Sequence, residues 1–215
     1  MAWLAGQRRG ERCSAYAGSG DARVPRGVGP SLGVNGLLAS HRGEATLMNS
    51  FFRLAYFTVA GWLVEAAFTP RLRAAALRAF GARVGRGVRV HRCALMNHHD
   101  GLRHLEIGDG VFIGDGVVLD LAGPLRLADR ATVSVRAILL THTDPGASHG
   151  NAQAVRYPPT RRGLSIGRDA WIGAGAIILE GADLAPEAVI GAGAVVVQRV
   201  TEAGLYGGVP ARRLR

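Results

Sequence analysis

An aliphatic residue returns every six positions through most of this chain, and few folds use that spacing. The beat falls on Ile107, Ile113 and Leu119, then on Leu127, Val133 and Leu139. After a gap it resumes at Ile166, Ile172, Ile178, Leu184, Ile190 and Val196 without a slip. Glycine often follows, as at Gly108, Gly114, Gly167, Gly173 and Gly191. A helix would repeat at about 3.6 residues and a simple strand at about 2. A strict period of six reads instead as the hexapeptide repeat of a mainly β, parallel β-helix. Each short segment there buries its aliphatic residue against the coils above and below.

Composition narrows the partners. The chain has 215 residues, 48% of them hydrophobic, enough for one well-buried domain with a small appendage. Its formal charge is +10, and every basic side chain is arginine. Such a balance suits nucleic acid, an anionic membrane surface or a phosphate-bearing small molecule. No zinc-finger spacing or aromatic stacking motif is present, so nucleic acid is not an expected partner. Cys13 and Cys93 lie far apart and fit no metal or redox spacing, which favours a reduced, cytoplasmic setting.

Residues 1–47 are rich in Gly, Arg and Ser without an apolar period, and read as a disordered extension. Met48 opens the first coherent pattern and is a candidate start. A helical segment is expected over 48–81. Phe51 to Phe68 is apolar apart from Arg53 and Glu65, Thr69-Pro70 punctuates it, and Gly81 offers a C-cap after a second run of helix formers. The uncharged stretch Leu54 to Val64 is short for a membrane span, which needs about 20 residues. Two helices packed on the end of the coil, or peripheral contact with the inner membrane surface through residues 51–80, both fit.

The coil domain spans 82–215, beginning near Val84 and Val90 and breaking at Asn97-His98-His99-Asp100-Gly101. Gly123-Pro124 adds two residues between beats. The large break is a protruding loop, 143–165, whose Asp144-Pro145-Gly146 and Pro158-Pro159 are foreign to a repeat strand. Four to five turns follow from the hexads. Insertions leave such coils from the surface and commonly build the binding face.

Three motifs, in order, carry a resemblance. Leu139-Leu140-Thr141-His142-Thr143-Asp144-Pro145-Gly146 opens the long break. Ile166-Gly167-Arg168-Asp169-Ala170-Trp171-Ile172-Gly173-Ala174-Gly175 restarts the repeat, and Gly208-Val209-Pro210-Ala211-Arg212-Arg213-Leu214-Arg215 ends the chain. With the repeat, they resemble the hexapeptide-repeat acyltransferases, in particular the maltose, galactoside and polysaccharide O-acetyltransferases, over about residues 70–215. The resemblance implies a left-handed parallel β-helix of triangular section. It implies a homotrimer with sites between subunits, acetyl-CoA as donor, no metal, and a sugar or cell-surface glycan precursor as acceptor. It places the catalytic histidine at His142. Trp171, Gly173, Ala174, Gly191, Ala192 and Pro210 would line the pantetheine arm, with Arg212 and Arg213 near the nucleotide phosphates. Where that family often carries a lysine, this chain has Gln198, followed by Arg199.

Moving an acyl group from a thioester to a hydroxyl requires removing the hydroxyl proton as the oxygen attacks. A histidine, with an ordinary pKa of about 6.5, can take it near neutrality. His142 sits where a rigid coil turns into a loop. Its orienting partner is open between Asp144, two residues away, Asp120 in the preceding coil, and a backbone carbonyl. Asn97 and His98 are candidate substrate contacts.

Rival readings differ in what they need. A γ-carbonic-anhydrase-like metal enzyme needs three converging histidines. His99, His104 and His142 do not follow that family's order, in which the close pair comes last. The metal reading would also leave Trp171 and the basic tail unexplained, whereas a non-catalytic solenoid predicts that His142→Ala changes nothing and that acetyl-CoA does not bind. An antibiotic-modifying or serine-type acetyltransferase shares the scaffold, but the latter usually carries a larger helical N-terminal domain.

Overall fold

The structure, a computed structural model, describes residues 55–56, 58–98 and 102–214. The expected disordered extension 1–47, the start at Met48 and the histidine at His99 lie outside the described residues.

Three parallel sheets receive successive strands in rotation. The first sheet stacks Arg83–Val84, Leu105–Ile107, Leu125–Leu127 and Leu164–Ile166. Single bridges extend it from Ile166 to Leu184 and on to Val200. The second stacks Arg89–Val90, Phe112–Ile113, Thr132–Val133, Trp171–Ile172, Ala188–Ile190 and Gly204–Gly207, with Arg212–Arg213 antiparallel at its end. The third stacks Cys93–Met96, Val117–Asp120, Ile138–Leu139, Ile177–Ile178 and Val195–Val196. Its five strands put the turn number at the upper end of the sequence expectation.

The six-residue beat is explained by this rotation. All twelve beat residues from Ile107 to Val196 are buried. So are the residues two positions earlier, including Leu105, Val111, Val117, Ala131, Ala137, Ala170, Ala176 and Ala194. Each hexad therefore points a small or aliphatic residue in, one residue out, and the beat residue in, following strand alternation. Register is strict, with Leu119 beside Leu139 and Ile178 beside Leu139 and Val196. Like residues thus stack in continuous buried columns. Tight corners join the strands. Gly116 and Arg136, in one corner column, take φ of 70° and 57°, a region that costs glycine nothing and strains arginine.

A helix, Pro70–Ala79, covers the first rung. Thr69 Oγ1 accepts from Leu72 N at 3.1 Å, Pro70 occupies the first turn, and Gly81 follows the C-cap with φ 102°. It buries Ala74 and Leu77 on the coil. Arg78 donates to the carbonyls of Val84 and Gly85 at 2.7–3.0 Å. Arg73, 4% exposed, donates to the carbonyls of Val64 at 3.1 Å, Val90 at 3.0 Å and Ala67. It thereby ties the preceding helix, residues 58–66, to the coil. No helix among the described residues is long and apolar enough to cross a membrane.

The protruding segment is a hairpin arm. His142–Thr143 pairs antiparallel with Thr160–Arg161, and a short helix, Gln153–Arg156, sits in the arm. The coil resumes at Leu164, whose strand pairs in register with Leu125–Leu127 directly beneath. Glu180 pins the base of the arm, accepting from Thr160 Oγ1 and from Arg162 N.

Candidate active site

His142 is the first residue of the arm, reached from the third sheet through Leu139, Leu140 and Thr141. Asp120 ends a third-sheet strand one turn earlier. This geometry brings the two together: His142 Nδ1 lies 2.6 Å from Asp120 Oδ2. The Asp120 side chain has no solvent exposure, while that of His142 keeps 25%. Burial pushes the Asp120 carboxyl up, but hydrogen bonds from Asn97, His142 and Thr141 outweigh it and hold the group at about 2. An ionised carboxylate only accepts, so the shared proton belongs to His142 Nδ1, and in a neutral imidazole Nε2 is then the acceptor.

Asp120 Oδ1 accepts from Asn97 Nδ2 at 2.7 Å and from Ala122 N at 3.2 Å. Oδ2 accepts from Thr141 N and Thr141 Oγ1, both at 2.8 Å, besides His142. Thr141 is fully buried, and its Oγ1 accepts from Gly123 N at 2.9 Å. Asn97 adopts φ 54°, a left-handed conformation asparagine tolerates better than most residues. It therefore faces Asp120 through its amide.

The other candidates fall elsewhere. Asp144 Oδ1 accepts from Gly146 N and Ala147 N at 2.8 Å, which makes it the turn-former of the arm while Asp120 takes the imidazole. These backbone N–H groups hold its carboxyl below the ordinary value. His98 Nδ1 lies 3.1 Å from the Leu95 carbonyl, and a Cβ on Gly61 would meet its Nε2 at 3.1 Å, so the ring packs against the first helix. His104 Nδ1 contacts the Leu121 carbonyl at 2.9 Å. Among the described residues, no group of three or more His, Cys, Asp or Glu is placed to hold a metal ion.

Trp171 points outward from the second sheet, 54% exposed, with Nε1 donating to Ser134 Oγ at 3.0 Å. At Gly173 a Cβ would come within 2.6 Å of Ala192 N, so only glycine lets the two turns stack that closely. Ala174 and Ala192 are exposed on consecutive turns, with Gly193 N donating to the Ala174 carbonyl at 2.9 Å. Val209-Pro210 is a cis peptide. Arg213 pairs with Glu202 and donates to the Ala203 carbonyl, while among the described residues the guanidinium of Arg212 reaches only the Ala211 carbonyl. Both line a cleft of about 290 Å³ with Arg199, which pairs with Asp183 at 3.3 Å. Two larger clefts, of about 490 and 500 Å³, run between the helical segment and the coil and include neither His142 nor Asp120.

Residues 163–198 match the model of the bacterial transferase hexapeptide (six repeats). The chain shares its fold with a maltose O-acetyltransferase from Clostridium difficile 630, at 20% identity and a TM-score of 0.64, covering 77% of this chain and 87% of that one. A hexapeptide-repeat acetyltransferase from Vibrio cholerae O1 biovar eltor, solved with acetyl coenzyme A, gives 22% identity and a TM-score of 0.64 over 76% and 86% of the two chains. A galactoside acetyltransferase in complex with coenzyme A gives 15% and 0.63 over 77% and 81%. At such identities the likeness is one of fold.

Proposed function

We propose that this chain is an O-acetyltransferase that moves an acetyl group from acetyl-CoA to a hydroxyl of a sugar or cell-surface glycan precursor. The observation that carries the reading is the 2.6 Å contact of His142 with a buried, ionised Asp120 at the corner where the arm leaves the coil. His142 Nε2 removes the acceptor hydroxyl proton as that oxygen bonds to the thioester carbonyl carbon. The tetrahedral intermediate collapses with cleavage of the C–S bond, and the imidazolium returns its proton to the departing thiolate. Asp120 stabilises the imidazolium in between.

The scaffold is read as a left-handed parallel β-helix, as in the resemblance. Trp171, Gly173, Ala174, Gly191 and Ala192 line the pantetheine arm, supported by the close stacking of small residues at that corner. Pro210 belongs to the same terminal motif. Arg212, whose guanidinium meets only the Ala211 carbonyl among the described residues, suits the phosphates better than Arg213, which Glu202 engages.

A homotrimer is supported by the outward face of the third sheet. Ala94, Val118, Ile138, Ile177 and Val195 form one aliphatic column there, and Met96 and Val197, 45% and 46% exposed, belong to the next. A face this apolar is a contact surface, and His142 stands at its edge. Peripheral contact with the inner membrane surface from the cytoplasm is supported by Val59, Trp62, Leu63 and Phe68, all exposed, near Arg71. Vesicle sedimentation and cell fractionation test it.

Acetyl-CoA consumption against a panel of sugars, sugar nucleotides and aminoglycan fragments tests the activity, with His142→Ala as control. Turnover that survives the substitution overturns His142 as the base, and stoichiometric zinc in purified protein overturns the metal-free reading.

A further inference from the structure

The carboxylate behind His142 is built more heavily than an orienting group needs. Asp120 has no exposure, and burial by itself pushes its carboxyl up, toward the neutral form. A neutral carboxyl would no longer stabilise an imidazolium. Among the described residues, five donors converge on its two oxygens: Asn97 Nδ2, Ala122 N, Thr141 N, Thr141 Oγ1 and His142 Nδ1. Only two of the supporting donors, those of Asn97 and Thr141, belong to side chains other than the histidine itself. They approach from two different turns of the coil and divide the work, Asn97 on Oδ1 and Thr141 on Oδ2. The Thr141 hydroxyl has a single proton, and the charged Oδ2 at 2.8 Å is a better acceptor than the Asp120 carbonyl at 3.1 Å. Its own lone pair is filled by Gly123 N, which fixes the direction of that proton.

We propose that Asn97 and Thr141 are positioning residues that keep the Asp120 carboxylate charged and aimed at His142, and so govern the proton transfer without touching either substrate. This rests on the reading of His142 as the base, and it gives Asn97 a different job from the substrate contact its sequence position suggests. Among the described residues, His142 is the sole titratable side chain hydrogen-bonded to Asp120. Asp144 is turned to its own loop, and His98 and His104 face backbone carbonyls.

The test follows the Asp120 carboxyl by ¹³C NMR as pH falls, in the full-length protein without ligand. The wild-type carboxyl, held at about 2 by its donors, is expected to stay ionised until pH nears that value. Asn97→Gly removes the amide yet accepts the left-handed backbone, and Thr141→Val removes the hydroxyl at constant shape. Each is expected to move the midpoint up by about one to two pH units, the worth of one hydrogen bond to a charged group. Thr141→Ser keeps the hydroxyl and is expected to titrate like wild type. Midpoints unmoved in both Asn97→Gly and Thr141→Val overturn the proposal. Turnover of acetyl-CoA with the best acceptor of the sugar panel supplies a second readout: kcat falls about tenfold with the acceptor KM unchanged. A raised acceptor KM at constant kcat in Asn97→Gly shows a substrate contact instead and overturns the role given to Asn97. The two readings fail separately, because full turnover in His142→Ala removes the base while leaving the Asp120 titration to be judged alone.

Discussion

The first and third sheets are built on the same rungs, bury the same kinds of residue inside, and present opposite chemistry outside. On the first, Glu106 pairs with Arg83 at 2.5 Å and Arg126 at 3.2 Å, and Ser165 continues the outward column. On the third the corresponding column is Ala94, Val118, Ile138, Ile177 and Val195. Inward positions are interchangeable between the sheets: Leu127 and Leu139 are 2% and 0% exposed. The inward pair of each hexad therefore specifies the coil, while the single outward residue specifies what each side meets. One side is charged and solvated, and the other is aliphatic, the face proposed above to meet a neighbour, with the candidate site at its border.

The largest effect expected is on chemistry at that border. His142→Ala is predicted to lower kcat by about 10²- to 10⁴-fold, whereas Arg126→Ala on the first sheet leaves it unchanged; equal losses would erase the distinction. Next comes Ile138→Arg, which sets a charge in the aliphatic column. Light scattering is expected to show the assembly falling to single chains with loss of acetyl transfer, while helical and strand signals in circular dichroism persist. A wild-type protein that is already monomeric would dismiss the third sheet as an interface. The interior of the two sheets should behave alike: Leu127→Ala and Leu139→Ala are each expected to cost about 2–5 kcal/mol in denaturant unfolding. A gap of several kcal/mol between them would show that the columns are not equivalent.

Acid adds a smaller effect, read at Asp120 on the third sheet. The Asp120 carboxyl is depressed from 3.8 to about 2. Its contribution, on the order of 2 kcal/mol, is present above the unfolded-state value and lost as pH falls through the folded one. Urea unfolding of wild type and Asp120→Asn should differ most at neutral pH and converge between about pH 4 and 2. The smallest change belongs to the first sheet. Glu106→Gln is expected to alter stability by less than about 1 kcal/mol, and less still in high salt, because Glu106 and its arginines are solvated.

Much of this contrast could be read along the chain. The beat alone predicted the buried columns, and the residue just before each beat (Glu106, Arg126 and Ser165 against Val118, Ile138 and Ile177) separates the two sides once hexads are taken in threes. His142 stood out because it opens the one long break. Its partner was harder. Asp144 is closer in sequence, but its carboxylate accepts the N–H groups two and three residues on, a local bond that wins over a distant one. Asp120 reaches His142 only through the register between turns, which Gly123-Pro124 lengthens by two residues. Asn97 and Thr141 carried no periodic signal at all, since their importance lies in converging on one carboxylate from different turns. The arm was legible as an interruption but not as a hairpin, because its flanking strands are two residues long.

A parallel coil whose every turn repeats the last has no intrinsic reason to stop, and an unfinished rung is a template on which another molecule could polymerise. This chain closes both ends with its own material. At the start, Arg78 and Arg73 occupy the carbonyls of Val84, Gly85 and Val90 that a foreign strand would need. At the finish, Arg212–Arg213 folds back antiparallel on Gly204–Gly207. Lengthwise growth into a fibre is thereby blocked, and the proposed assembly through the third sheet runs sideways instead.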